Sequence, residues 1–355
     1  MTSENEIKRS KVILKDISCK AWEHPADRAA LNALRAIPGF DILLRKLFGN
    51  TTERALRLGA LASSVRVTPL QFRKIHLLFD EACQILNPDY TPELYIANDP
   101  FINAGAVGVD EPFIMLNSSL ISGFDDKEIL AVIAHELGHC MSGHALYKTM
   151  LQILIKLSSY MMAVPIGGMA LQAIIVALNE WSRKSELSAD RAGALVVQDP
   201  QICYELHMKM AGGGNVGDMD INEFYKQAKE YEEGGTVVDS LYKILNLIGS
   251  THPFNVLRLT ELKVWVEGGS YDEILKGNYE TRGADSNKGI LDDIKEAKDQ
   301  YVSDIENSKD PLAKSVSSLI NNVDDLVGNV FKSFSDAFNK DEDKNKDKDK
   351  DDSEK

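Results

Sequence analysis

Histidine is scarce in this chain, seven in 355 residues, yet two of them bracket a glutamate in His135-Glu136-Leu137-Gly138-His139. Residues four apart lie on one face of a helix, so both imidazoles can reach a single cation. Glu136 stands beside them and can hold a water against that cation. Zinc lowers the pKa of such a water towards ~7, and a neighbouring carboxylate takes its proton as the oxygen attacks a peptide carbonyl. The pattern points to metal-assisted hydrolysis. The bland alternative is a helix that carries these residue types by chance.

A catalytic zinc takes a third protein ligand and keeps a fourth position open. Glu186-Leu187-Ser188-Ala189-Asp190 offers two carboxylates, again four apart. One can bind the metal while the other hydrogen-bonds a ligand imidazole and fixes its tautomer. Read alone, such an acid pair is a solvated helix face. Ala192-Gly193-Ala194 follows it, and residues this small let two helices approach closely. The other histidines carry less. His144 reads as a helix-end residue, and His24, His76 and His207 have no partner at metal-ligand spacing. Cys140 follows His139 directly, points about 100° away around a helix, and reads as a buried thiol.

The elements that must position these groups are mostly helical, and residues from about Ala21 to Leu86 read as helical. Trp22, Leu31, Leu34 and Ile37 form one apolar stripe, broken at Pro38-Gly39, and residues 42–61 resume it. Residues 69–86 form another, with Phe72, Ile75, Leu78, Phe79 and Cys83 at helical spacing. The period then changes to short β-type runs at 93–97 and 112–116, with a glycine-weakened strand at 103–109 between them. Residues 125–144 predict the clearest helix. Asp125 caps it, Glu128 completes a capping box, and Ile129, Val132, Ile133, Leu137 and Met141 supply its buried side. A second helix is predicted through Trp181 to Val197.

The His-Glu-Leu-Gly-His helix, followed by Ser182, Ser185, Glu186, Ala189, Asp190, Arg191, Ala192 and Gly193 in the pattern S-x-x-S-E-x-x-A-D-R-A-G, resembles the HtpX and CAAX prenyl protease family of gluzincin metallopeptidases. The similarity runs from about Trp22 to Tyr279. It implies one zinc ion, endopeptidase activity on polypeptide, and a zincin-type catalytic domain, mainly α with a small β-sheet (α+β). It assigns His135, His139 and Glu186 as ligands, Glu136 as general base, and Asp190 as the carboxylate behind a ligand. It also implies that His252, in Thr251-His252-Pro253, and Arg258 face the site and steady the substrate carbonyl. Without the resemblance, His-Pro is a helix-start signal. Asn103 and Ala104 resemble the family's substrate-side edge strand, where a peptide adds by backbone pairing; the alternative is an ordinary glycine-rich loop.

Residues 157–178 carry no formal charge over 22 positions, the length of one membrane span. A single crossing would put His139 and Glu186 on opposite sides of a bilayer. Two crossings would leave pieces of about 28 and 22 Å as helices, short of a ~30 Å apolar core. A helical hairpin over residues 145–180, packed on the catalytic helices, is therefore expected, with an interfacial hairpin as its rival.

Charge and cysteines set the remaining bounds. Net charge is −14, and residues 285–355 carry twelve lysines against nineteen acids. No basic face is left to displace counterions, so nucleic acid is not expected as a partner. The four cysteines have no paired spacing, and residues 1–20 are polar without an apolar leader. Both point to reduced thiols and a cytoplasmic location, or to a peripheral or integral membrane protein facing the cytoplasm. The expected divisions are a polar segment at 1–20, a catalytic domain at 21–282, an acidic amphipathic tail at 283–338 and a disordered charged tail at 339–355. Leu312, Val316, Leu319, Val323, Leu326, Val330 and Phe334 give that tail a near-heptad stripe.

The expected function is a zinc metalloendopeptidase engaged in protein quality control. The competing reading is a non-catalytic zinc protein whose 312–334 helix docks a partner or a membrane surface. A prenyl-protein protease would need many long apolar spans that this chain lacks.

Overall fold

Residues 11–35, 50–161, 165–233 and 254–283 are described by a computed structural model of the chain. His252, the 312–334 stripe and the 339–355 tail lie outside them. The helices are α1 (Pro25–Arg35), α2 (Asn50–Ser63), α3 (Arg73–Leu86), α4 (Ser118–Gly123), α5 (Asp126–Met141), α6 (His144–Met161), α7 (Pro165–Val197), α8 (Pro200–Gly212), α9 (Ile221–Glu233), α10 (Asn255–Glu267) and α11 (Ser270–Leu275). The strands are β1 (Ser64–Arg66), β2 (Leu94–Ala97), β3 (Ala104–Val107) and β4 (Phe113–Asn117). Mostly helical with one small sheet, the fold is of the expected class.

The centre is α5, and its start is written locally. Asp125 accepts hydrogen bonds from the backbone N–H groups of Lys127 and Glu128, and Glu128 Oε2 accepts from Asp125 N at 2.8 Å, closing the capping box. Every residue from Glu128 to His139 is buried. A helix buried on all sides must satisfy its polar groups internally, which makes its histidines and glutamate costly unless they have partners. The helix is shorter than expected. Gly143 takes φ 71°, the left-handed region that glycine enters at least cost, and α6 begins there at His144.

The sheet runs in the order β1-β2-β4-β3, with β2 and β4 parallel and the outer pairs antiparallel. β1 falls where the sequence reads as continuing helix. Side chains alternate faces: Leu94, Ile96, Ile114 and Leu116 join the core around Ile129, Ile133 and Leu137, while Tyr95 and Phe113 pack on Ala60 of α2. β3 is an edge strand. Its Gly108 N donates to Thr149 Oγ1 at 3.0 Å, tying it to α6.

The apolar stretch becomes α6 and the first half of α7, and the second arm of that hairpin is continuous with the helix that carries Glu186. Leu146, Tyr147, Met150 and Leu151 pack on Ile175, Leu178 and Trp181, with Leu31 of α1 over them. Among the described residues no helix is long and apolar enough to cross a membrane. Residues 11–20, the described part of the expected polar segment, pack into the core. Leu14 and Ile17 are fully buried, Leu14 N donates to Ile85 O at 2.8 Å, and Ile17 bridges Thr281.

Candidate metal centre

α5 and α7 cross where their side chains vanish. A Cβ on Gly138 would sit 2.7 Å from Ala192 Cβ, and one on Gly193 would sit 3.1 Å from Ala131 O. This close approach brings His135 and His139 of one helix against Glu186 and Asp190 of the other. His135 Nε2 lies 3.4 Å from Glu186 Oε2, and His139 Nε2 lies 3.2 Å from Glu186 Oε1. One donor atom from each of His135, His139 and Glu186 falls within 4.8 Å of the other two, an arrangement that could hold a metal ion. Glu136, buried on the cleft side, has its carboxylate 4.0 Å from His135 Nε2.

Behind the three donors sits a charged frame. Asp190 Oδ1 lies 3.0 Å from His135 Nδ1, leaving the opposite ring nitrogen turned towards Glu186. Arg258 donates to Asp190 through Nε at 2.8 Å and Nη2 at 2.5 Å, and its Nη1 lies 3.3 Å from Glu186 Oε2. Burial opposes ionisation of Asp190, but the Arg258 guanidinium outweighs it and holds the carboxyl far below the ordinary range. Burial likewise disfavours a charged His135, yet the Asp190 and Glu186 carboxylates raise its pKa to about 9. Burial and the Lys148 charge keep His139 well below its ordinary value, so its ring is neutral.

The donor chemistry fits zinc: two imidazoles and a carboxylate are a catalytic set. The electrostatics fit as well, because the Lys148 ammonium is drawn to the same spot, 3.1 Å from His139 Nε2 and on Glu186 Oε1. A cation bound at His135 must displace a proton, the usual competition at such sites.

A cleft of about 260 Å³ opens over these groups. His135, Glu136, Glu186 and Arg258 form its floor, Asn103 and Ala104 one rim, and Leu120, Phe124, Val132, Leu206 and Met210 an apolar recess. Arg258, Asn103 and Ala104 thus line the cleft, while His252 lies outside the described residues. Arg258 spends its nitrogens on two carboxylates.

Three groups escaped the reading of spacing. His144 stands at a helix end, the first residue of α6, but it is also fully buried, with Nδ1 2.9 Å from His139 Nδ1. His207 is buried 3.5 Å from Asp190, and Lys148 meets His139 and Glu186. A signal for two of them exists, since His144 and Lys148 are polar residues four apart at the start of an apolar helix. Cys140 is half-buried as a residue, burial of its thiol pushes its pKa well above the ordinary value, and all four cysteines are free.

Residues 69–266 match the family model of peptidase family M48. The chain is 35% identical to the plastoglobule-localized metallopeptidase 48 of Arabidopsis thaliana over 272 residues, 75% of this chain and 78% of that protein. It is 46% identical to an HtpX protease homolog of Helicobacter pylori over 68 residues, 19% of this chain and 22% of that one. It is 28% identical to the mitochondrial metalloendopeptidase OMA1 of Arabidopsis thaliana over 136 residues, 36% of this chain and 27% of that one. No solved structure is found to match.

Proposed function

The chain belongs to peptidase family M48, and from that premise we propose that His135, His139 and Glu186 hold one zinc ion at which Glu136 acts as general base. Membership makes the protein a metalloendopeptidase, a hydrolase of peptide bonds in polypeptides. The observation that carries the residue assignments is the convergence of the two imidazoles and one carboxylate from α5 and α7, with Glu136 beside them on the cleft floor.

Zinc bound there supplies a Lewis acid that polarises a peptide carbonyl and acidifies water. The protein's own groups do the rest. Glu136 takes the proton of the attacking water and returns it to the leaving amine. Asp190 orients His135, and Arg258 clamps Asp190 and neutralises the excess of carboxylates in a buried site. Its guanidinium is committed to those carboxylates, so we assign it a positioning part in place of the carbonyl contact that the resemblance implies. The outer edge of β3, which has no strand partner among the described residues, takes a substrate strand by backbone pairing at Ala104 and the preceding Asn103, and the apolar recess takes a substrate side chain.

A cleft that reads backbone favours unfolded or flexible polypeptide, which suits a quality-control protease on the cytoplasmic side. Four free cysteines agree with that compartment. Carbonate extraction with protease protection tests the location: protein protected inside a lumen, or retained with lipid, would contradict it.

Metal analysis with two variants tests the chemistry. Glu136→Gln keeps about one zinc per chain and loses activity by at least ~100-fold, the scale of general-base catalysis. Glu186→Ala loses the metal. Turnover by metal-replete Glu136→Gln, or full metal content in Glu186→Ala, overturns the assignment.

A further inference from the structure

We propose that Asp27 is a positioning residue for the metal centre, acting through His144 to hold His139 in the tautomer that turns its Nε2 lone pair to the cation. The proposal rests on the zinc assignment above and extends it to the N-terminal helix.

The geometry is a chain of side chains running from α5 through α6 to α1. His139 faces Glu186 with Nε2, so its Nδ1 points the other way, 2.9 Å from His144 Nδ1. Two nitrogens at that distance share one proton. If His139 is to keep Nε2 bare for a metal, its Nδ1 carries the hydrogen and donates, and His144 Nδ1 accepts. His144 then bears its own hydrogen on Nε2, which lies 3.1 Å from Asp27 Oδ2, an ion-pair contact too bent for a regular hydrogen bond. Asp27 is buried and accepts two further hydrogen bonds, from Trp181 Nε1 at 3.0 Å and Ser188 Oγ at 2.5 Å. These donors fix the carboxylate in place, and both come from α7, the helix that carries Glu186.

The polarity of the chain has one consistent direction. A carboxylate only accepts, so it selects Nε2–H on His144, and that tautomer selects Nδ1–H on His139. Removing the acceptor leaves His144 free to adopt the opposite tautomer, whose Nδ1–H would push the proton of His139 onto Nε2, the atom the metal needs. His135 has its own buried partner in Asp190, so each ligand imidazole has one behind it. Partners of this kind are worth ~10–100-fold in metal affinity. A structural reading, in which Asp27 only docks α1 on α7, predicts loss of stability without a specific loss of metal.

The test is zinc affinity by chelator competition in the full chain carrying Glu136→Gln, which stops self-digestion. Asp27→Asn, whose amide oxygen is held by Trp181 Nε1–H so that its NH2 faces His144, is expected to weaken zinc binding ~10–100-fold. His144→Phe, which keeps a ring beside Trp181 but no nitrogen, is expected to do the same and serves if Asp27→Asn fails to fold. Leu31→Ala, which weakens the apolar docking of α1 without touching a hydrogen bond to Asp27, is expected to lower thermal stability with zinc affinity within about threefold of the parent. Ring-nitrogen NMR of the zinc-loaded protein supplies the second readout: an Nδ1–H signal of His139, protected from exchange, that shifts or broadens in Asp27→Asn. Unchanged zinc affinity in Asp27→Asn or His144→Phe overturns the proposal, as does an equal loss in Leu31→Ala. A parent protein that binds no zinc sinks the metal assignment itself, so the two failures are distinguishable.

Discussion

The crossing of α5 and α7 at Gly138 is where a single methyl group should do the most damage. In Gly138→Ala the new Cβ would lie 2.7 Å from Ala192 Cβ, against an ordinary carbon contact of about 3.5–4.0 Å. Ala192 Cβ is fixed to the helix backbone and cannot swing aside, so the two helices must part by about 1 Å. Metal–ligand distances tolerate only about 0.2 Å, and the parting runs between the helix with the histidines and the helix with Glu186. Stability should change less than metal binding. Alanine in a helix interior gains up to ~1 kcal/mol over glycine, while overpacking costs about 1–3 kcal/mol, for a net loss of about 0–2 kcal/mol. Zinc affinity should fall at least tenfold, or about 1.4 kcal/mol. Gly193→Ala is the graded control: its Cβ would meet Ala131 O at 3.1 Å, which a shift of a few tenths of an ångström relieves. Chelator competition measures the affinity and urea unfolding of the metal-free protein measures the stability. Zinc binding by Gly138→Ala equal to that of the parent, or a larger loss in Gly193→Ala, would refute the idea that this close contact sets the site.

Two further outcomes follow from local features. Burial lowers the pKa of His207 to about 4, so the unfolded chain, with an ordinary value near ~6.5, binds more protons between those limits. Metal-free protein should therefore lose stability as pH falls from about 6.5 towards 4, and His207→Gln should flatten that slope in urea unfolding; an unchanged slope would contradict it. Asp125→Ala removes the cap of α5 and should destabilise the fold by about 1–2 kcal/mol. The cap lies about 15 Å along the helix from His135, so zinc affinity should stay as in the parent, and a parallel loss would show that the cap also positions the site.

Much of the site was legible because its signals are local. Helical periodicity places His135 and His139 on one face whatever surrounds them, and the same holds for Glu186 and Asp190. The capping box at Asp125 and Glu128 needs only four consecutive residues. Alternation placed β2, β3 and β4 within a residue or two of where they form. The small residues at 192–194 announced a close helix contact, and the structure supplies its partner in Gly138.

What the tertiary structure decided is everything that joins residues far apart in the chain. Asp27 meets His144 across more than a hundred residues, and His207 reaches Asp190 from a different helix. Leu14 and Ile17 look like part of a polar segment until the core that buries them is assembled. β1 reads as helix because a three-residue strand has almost no period of its own; only pairing with β2 makes it a strand. Arg258 carries no local mark of the two carboxylates that claim it. The physical reason is common to all of these. Periodicity and capping are properties of neighbouring residues, whereas the partner of a buried charge is chosen by which helices the packing of the core brings together.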